Sequence, residues 1–274
     1  MDVPVVRLRP SSGWAALRLS ELWRYRELIG FLAWRDIKVR YKQTVLGGAW
    51  AIIQPLFTMI VFSVFFGRLA KVPSNGLPYP LFSLCALIPW QFFSTALAQT
   101  SNSVVTEKQL VTKVYFPRLA VPLSSTLSSL VDLLVSFALL LAMMAWYRVM
   151  PGPAVILLPA LVILALLSSL AVGLWLSALN VRYRDFRYTV PFLIQFWLFA
   201  TPVAYPSSLV PERWRVLYAL NPMATVVEGF RWALLDGPGP APSMVVASSL
   251  AVAVTLVAGL YYFRRTEKLL ADLV

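Results

Sequence analysis

Long apolar blocks alternate with short clusters of charged residues along the chain. Six of these blocks each hold at least 24 residues without a lysine, arginine or glutamate, and a helix needs about 20 mostly apolar residues to cross a bilayer. We therefore predict an all-α integral membrane protein with six transmembrane helices. The predicted spans are about 45–66, about 81–101, one between 118 and 148, one between 148 and 182, one between 187 and 212, and about 243–263.

The basic residues between the spans predict the orientation. With the N-terminus on the cytoplasmic side, 18 of the 24 lysines and arginines lie in cytoplasmic segments and 6 in outer segments, as the positive-inside rule requires. We predict a multi-pass protein of the cytoplasmic (inner) membrane with both termini cytoplasmic. A single membrane domain covers 1–274, divided into a cytoplasmic or interfacial segment (1–43), a transmembrane region (44–263) and a cytoplasmic tail (264–274).

Composition supports this class and excludes others. Of the 274 residues, 59% are hydrophobic and 13% are charged, against roughly 25% charged in soluble domains. The net charge of +12 does not indicate nucleic-acid binding, because the basic residues form no single stripe. The single cysteine, Cys85, allows no intrachain disulfide. We predict no signal peptide and no metal site, since the chain has no histidine.

Three segments on the predicted cytoplasmic side have features of their own. Segment 22–43 suits a helix at the membrane surface, with its tryptophans near the headgroups and Arg35, Lys38, Arg40 and Lys42 facing anionic lipid. Segment 107–115 is predicted to be a short helix, with Thr106 and Gln109 as a capping box. Segment 180–188 is predicted to be a tight loop rich in arginine and tyrosine. Segment 22–43 could act in assembly or gating, or be a topology anchor only. The other two segments could be docking surfaces for a cytoplasmic partner, or simply a connector and an interfacial anchor.

The outer segment 210–237 is predicted to hold two short helices that do not cross the membrane. Asn221 and Pro222 resemble an N-cap and a first-turn proline, and the helix that they begin is too short for a span. Glu228 and Arg231 are three residues apart, so they can pair on one helical face. Such helices at the outer mouth suggest a lid or gate beside span five, which carries three prolines.

Catalytic motifs are missing from the sequence. It has no phosphate-binding Gly-x-x-x-x-Gly-Lys-Ser/Thr loop, so we expect ATP hydrolysis by another protein. Asp132 is the one ionisable residue deep in a predicted span. A hydrogen bond to Ser125, Ser128, Ser129 or Ser136, or a protonated carboxyl group, would explain it. No carboxylate or histidine constellation supports a membrane-embedded transferase.

Clusters of aromatic residues exceed what anchoring at the membrane interface needs. Most of them should pack against lipid or other helices. Some could line a path, because flat ring faces can slide along sugar faces without tight binding. The spans supply no rings of charge for ions. The predicted path residues are Phe62, Phe66, Phe196, Phe199 and Tyr205.

Six dispersed stretches resemble a known family: LAWRDIKVRYK at 32–42, LGGAW at 46–50 with QP at 54–55, VYFPR at 114–118, NVRYRD at 180–185, PV with YP at 202–206, and LNPM at 220–223. They are similar to the permease subunits of type-two ABC exporters of polysaccharides, which move O-antigen (of lipopolysaccharide), capsule or teichoic acid chains. The resemblance implies a homodimer around a channel for a lipid-linked glycan. It also implies two separate ABC subunits that bind ATP and Mg, and no cofactor on this chain.

The resemblance also implies site residues. Segment 107–115 would be the main ATPase-coupling helix and the 180–187 loop a smaller contact. The outer helices would form the gate, with Asn221, Pro222, Glu228 and Arg231. A permease for a small molecule or lipid remains an alternative. The predicted coupling residues are Glu107, Lys108, Lys113, Tyr115, Arg182, Arg184 and Asp185.

Overall fold

The computed structural model describes residues 19–42, 47–183, 185–211 and 214–273, and all regular elements in these residues are helices. The described residues also form a π-helix at Ser63–Leu69 and 3₁₀ helices at Pro153–Leu157 and Ser207–Leu209. The α-helices are α1 (Leu19–Arg24), α2 (Arg26–Lys42), α3 (Gly47–Phe62), α4 (Tyr79–Thr106), α5 (Lys108–Lys113), α6 (Ala120–Ser128), α7 (Leu130–Tyr147), α8 (Leu158–Arg182), α9 (Phe186–Ala200), α10 (Arg215–Ala219), α11 (Pro222–Leu235) and α12 (Pro242–Leu273).

Five helical segments of the described chain are long and apolar enough to cross a membrane: Ala49–Leu69, Tyr79–Thr106, Ala120–Tyr147, Pro153–Arg182 and Pro242–Thr266. They correspond to predicted spans one, two, three, four and six. The predicted fifth span is different. Its helix, α9, has 15 residues, about 22 Å at 1.5 Å per residue, which is short of a hydrocarbon core about 30 Å thick. The six-span count therefore stays a prediction.

Helix α4 is the centre of the bundle. In an apolar 18-residue stretch of α4, 78% of the residues are buried, against 33% or less in the corresponding stretches of the other four spans. It packs most extensively on α8, and also on α6, α11, α3 and α7. The contact with α8 is close at Gly173, where a Cβ atom would lie 2.6 Å from Thr100 Cγ2. Polar bonds reinforce it, since the Asn180 amide donates to Ser101 O (3.1 Å) and Asn102 Oδ1 (2.9 Å).

One predicted boundary is wrong. Asn180 was expected in a loop, but α8 continues to Arg182 and buries Asn180 against α4, so the turn into α9 is shorter than predicted. The chain after 263 was predicted to be a cytoplasmic tail; α12 continues without a break to Leu273, so this segment is helical, and its cytoplasmic location stays a prediction.

Candidate functional site

Helix α5 is the predicted coupling helix, and it is shorter than predicted. It covers Lys108–Lys113, because Val114 leaves the helix in an extended conformation and Tyr115 follows outside it. The expected capping box is wrong: Thr106 is still the last residue of α4, and the N-cap position of α5 is Glu107, whose side chain makes no capping bond. Lys108, Lys113 and Tyr115 are exposed, so a basic surface is available at this end of the bundle.

Glu107 is held by Arg35 of α2. The guanidinium donates twice to the carboxylate, at 2.6 Å (Nη2 to Oε1) and 3.1 Å (Nη1 to Oε2), which is the bidentate geometry that makes an arginine–carboxylate pair strong. Arg35 also donates to Asp36 at 2.8 Å. The prediction that Arg35 faces lipid is therefore wrong. Its charge instead joins α2 to the junction between α4 and α5.

A second ion pair joins α2 to the start of α7. Asp132 accepts from the Arg40 guanidinium and from the Tyr41 hydroxyl. Burial, followed by the hydrogen bond to Asp132, raises the pKa of Tyr41 above its ordinary value, which keeps this donor protonated. Arg40 was expected to face lipid and Asp132 to bond a serine, and both expectations are wrong.

The serines near Asp132 have other partners. Ser128 and Ser129 donate to Gln99 Oε1 at 3.4 and 3.1 Å. Ser136 donates to Ala51 O at 2.8 Å. A lone carboxylate in an apolar span, with a basic helix elsewhere in the chain, was the only signal that the sequence offered for the Asp132–Arg40 pair.

The second predicted docking segment, 180–188, begins in the last turn of α8, where Asn180 contacts α4. Arg182 is exposed and lies over the Tyr183 ring, with 5.3 Å from its Cζ atom to the ring centroid. Asp185 is exposed and precedes the first turn of α9. Arg184 lies outside the described residues. Arg182, Tyr183, Asp185, Arg187 and Tyr188 are thus exposed, as a contact surface would require, whereas Asn180 is buried.

At the predicted outer end, Asn221 begins α11 as the sequence indicates. Its Oδ1 accepts from the backbone N–H of Met223 (3.1 Å), and Pro222 occupies the first turn. The same side chain bonds the end of α9: its amide donates to Thr201 Oγ1 (3.0 Å), and its Oδ1 accepts from Trp197 Nε1 (3.0 Å). Asn221 therefore fixes α11 to the end of α9.

Arg231 is the deepest cation in this region. It is only 7% exposed, and its guanidinium donates to the carbonyls of Pro202 (2.6 Å), Val203 (2.8 Å) and Tyr205 (3.3 Å). It also lies over the Phe82 ring at 3.6 Å. Its Nε also donates to Phe82 O of α4 at 3.5 Å, so the direct partners of Arg231 are three carbonyls beyond the end of α9 and one carbonyl of α4. The predicted ion pair with Glu228 is not among them.

The predicted path residues fall into two groups. Phe62 is buried and its ring meets Phe66 edge to face, with 5.2 Å between ring centroids. Phe196 and Phe199 are exposed on α9. Tyr205 lies beyond the end of α9, where its hydroxyl donates to Phe199 O at 2.9 Å. A groove of about 480 Å³ runs beside Tyr205 and is lined by Trp197, Tyr205, Trp214, Tyr218 and Asn221 among others.

Comparison with known proteins gives a consistent result. Residues 27–235 match the ABC-2 type transporter family. The chain is 31% identical over 252 residues to the O-antigen export system permease protein RfbA of Myxococcus xanthus, covering 90% of this chain and 96% of that one. It is 26% identical over 212 residues to the protein of that name from Klebsiella pneumoniae, covering 77% and 81%. Against the polysialic acid transport protein KpsM of Escherichia coli the identity is 24% over 244 residues, covering 85% and 91%.

Proposed function

The chain belongs to the ABC-2 type transporter family, and we propose that it is the permease subunit of an ATP-driven exporter that moves a lipid-linked polysaccharide, of the O-antigen or capsule type, across the cytoplasmic membrane. The observation that carries the proposal is the similarity to an O-antigen export permease along 96% of that protein's length. Relatives named for O-antigen export and for polysialic acid transport share a polysaccharide cargo, which favours a glycan over a small molecule.

The energy must come from a partner, because the sequence contains no phosphate-binding loop. We infer two copies of this chain and two ABC subunits, which would bind ATP and Mg. The exposed side chains of Lys108, Lys113 and Tyr115 on and beside α5 suit the main contact, and Arg182 with Asp185 suits a smaller one. Since α5 follows α4 at Glu107, a push on α5 would be delivered to the central helix of the bundle.

The outer end would act as the gate. Helix α9 stops after Ala200, and the chain continues through Pro202 to Pro206 before the short helices α10 and α11. Non-helical backbone at membrane depth is tolerated where protein or a water-filled cavity covers it, and Arg231 covers the carbonyls here. Opening would move α9 with α10 and α11 as one unit, and the exposed rings of Phe196 and Phe199 would contact the passing glycan.

The test is purification of the tagged full chain from its own membranes in mild detergent. We expect an ATPase with a Walker motif in about equal amount, and we expect cells depleted of the chain to accumulate glycan inside. Lys108→Glu combined with Lys113→Glu should lower the recovered ATPase about tenfold or more, since reversing both charges makes a favourable contact repulsive. Arg68→Glu, an exposed charge at the predicted outer end, is the matched control and should leave recovery unchanged.

Two results would count against this function. A chain that purifies without any ATPase at every detergent strength would remove the transporter assignment. Normal surface glycan in cells that lack the chain would remove the polysaccharide as cargo, and a drug or lipid would then be the substrate to test.

A further inference from the structure

A polar pocket lies inside the apolar bundle, between α3, α4 and α7, with the end of α2 at its base. Its volume is about 240 Å³, and its polar lining includes Gln54, Gln91, Thr95, Gln99, and the pair Arg40 and Asp132. Gln91 lies 15 residues before the end of α4 at Thr106, about 22 Å along the helix. The pocket thus extends from one end of the bundle well into the depth of a bilayer about 30 Å thick.

The charge in this pocket is balanced. Arg40 and Asp132 form an ion pair, and Tyr41 adds a hydrogen bond to the carboxylate. An anionic ligand would have to displace Asp132 from Arg40, and a cation would have to displace Arg40 from Asp132. The pair is partly buried, with side chains 27% and 20% exposed, and breaking it would leave an incompletely solvated charge without its partner, which is unfavourable. The pocket therefore favours a neutral ligand.

Three glutamine side chains of the pocket have hydrogen-bonding groups without a partner among the described residues. Among the described residues, the Gln54 side chain has no hydrogen-bond partner. Gln91 uses its Nε2 on Thr95 Oγ1 (3.3 Å), and Gln99 uses its Oε1 on two serine hydroxyls, so Gln91 Oε1 and Gln99 Nε2 also lack a partner in the part of the chain that the structure describes. An amide offers two donors and an acceptor, and leaving such groups unbonded at membrane depth is unfavourable. These groups must face water or a ligand with hydroxyl groups.

One backbone carbonyl at the pocket wall, Ala51 O, has a side-chain donor in place of its helical one. Pro55 removes the N–H that would bond Ala51 O inside α3. Ser136 supplies the missing donor from α7 at 2.8 Å. Ser136 and Ala51 thus satisfy each other, and the glutamine groups that have no partner among the described residues remain available to a ligand.

We propose that this pocket binds one neutral, hydroxyl-rich sugar unit of the transported glycan. The proposal rests on the proposed function and names a subsite for its cargo. Amide groups match sugar hydroxyls, which both donate and accept. Trp50, 56% exposed at the pocket wall, offers a flat ring to the apolar face of a sugar. The volume is below the roughly 300–1,000 Å³ of pockets for drug-sized ligands, so it suits a single ring.

The test places a photo-crosslinker in the pocket in cells that make the glycan. Trp50→p-benzoylphenylalanine should give, on illumination, a chain with attached periodate-sensitive glycan. The same crosslinker at Trp146, which is exposed at the far end of α7, is the positional control and should give none. Gln54→Leu with Gln91→Leu should lower the adduct about tenfold, because two hydrogen-bonding groups are lost. Ser249→Leu, on the exposed surface of α12, should not change it.

The outcomes separate the two proposals. Adduct yield that is unchanged in the Gln54/Gln91 variant, or an adduct with a second copy of this chain in place of glycan, would overturn the sugar site. Gln54→Leu alone, at an exposed side chain, guards against a folding defect; membrane abundance and ATPase recovery should match the parent chain. If cells without the chain lose surface glycan but Trp50 gives no adduct, the sugar site fails and the export function stands. If those cells keep surface glycan, the export function itself fails.

Discussion

Replacing Arg231 with methionine is expected to destabilise the predicted outer end of the bundle. Methionine fills a similar volume in the core but donates no hydrogen bond. The carbonyls of Pro202, Val203 and Tyr205, now bonded at 2.6–3.3 Å, would lose their donor. The segment after α9 would then be held to α11 mainly through Asn221.

The size of the effect follows from these contacts. Interhelical hydrogen bonds within membranes average about 0.6 kcal/mol and reach about 1.7, so three of them contribute roughly 2–5 kcal/mol. The contact with the Phe82 ring at 3.6 Å adds about 1–2 kcal/mol. Burying the guanidinium costs several kcal/mol, which methionine avoids. We expect a net loss of about 3 kcal/mol, or roughly 6–12 °C in Tm at 2–4 °C per kcal/mol.

The assay is thermal inactivation of the purified complex, followed as the fraction that stays monodisperse after heating. Arg231→Lys keeps the charge but replaces the planar fork with a point donor, so it should fall between the parent and Arg231→Met. Arg68→Met, the same substitution at an exposed arginine, should leave Tm within about 1 °C because surface changes are usually within about 0.5 kcal/mol. A Tm for Arg231→Met equal to that of the parent would refute the reasoning, as would an equal loss in Arg68→Met.

Three further substitutions test other contacts. Glu107→Gln keeps the side-chain shape but removes the ion pair with α2, so we expect less surface glycan per ATP hydrolysed. The measurements are glycan export in cells and ATPase activity of the complex. An unchanged ratio of export to ATP hydrolysis would contradict a role of this ion pair in coupling. Asp132→Leu leaves Arg40 without its carboxylate and should cost about 3 kcal/mol in thermal stability, whereas adding Arg40→Met should recover most of it. Gly173→Ala forces α8 away from α4 and should cost about 1–3 kcal/mol, whereas Gly30→Ala, which has open space around it, should be neutral or stabilising.

The sequence was sufficient for features that depend on the bilayer or on neighbouring residues. Span two was predicted at 81–101 and is part of Tyr79–Thr106, because a hydrocarbon solvent requires a long apolar helix whatever its partners. Asn221 and Pro222 were predicted to begin a helix and do so, since an N-cap involves only the next few residues. The capping box at Thr106 failed because α4 runs on through it, and packing of α4 outweighs a local cap.

Contacts between distant residues could not be predicted. Arg35 and Glu107 are 72 positions apart, and Arg40 and Asp132 are 92 apart. Hydropathy placed both arginines at a membrane surface, where an unpaired basic side chain is well tolerated. The choice between lipid phosphate and a protein carboxylate depends on which helix packs on α2, and that information is absent from the local pattern. The short α9 was missed for a related reason: Asn221 and Arg231, both distant along the chain, supply the hydrogen bonds to the end of α9 and to the segment that follows it.

The two ion pairs change how α2 would act in the proposed exporter. A surface helix bound only to lipid could move independently of the bundle, but α2 is fixed at Glu107, where α4 meets α5, and at Asp132, where α7 begins. Arg35 and Arg40 are five residues apart, about 7.5 Å along the helix, so α2 spans the bases of both helices. A displacement of α5 would reach α4 directly. It would also reach α7, through the bonds of α2 to Glu107 and Asp132. The pocket proposed to bind a sugar lies between these helices, and its volume would change when α4 and α7 shift relative to each other. ATP-driven movement at α5 would thereby alter the grip on one sugar unit, which is what a transporter needs to advance a polymer stepwise.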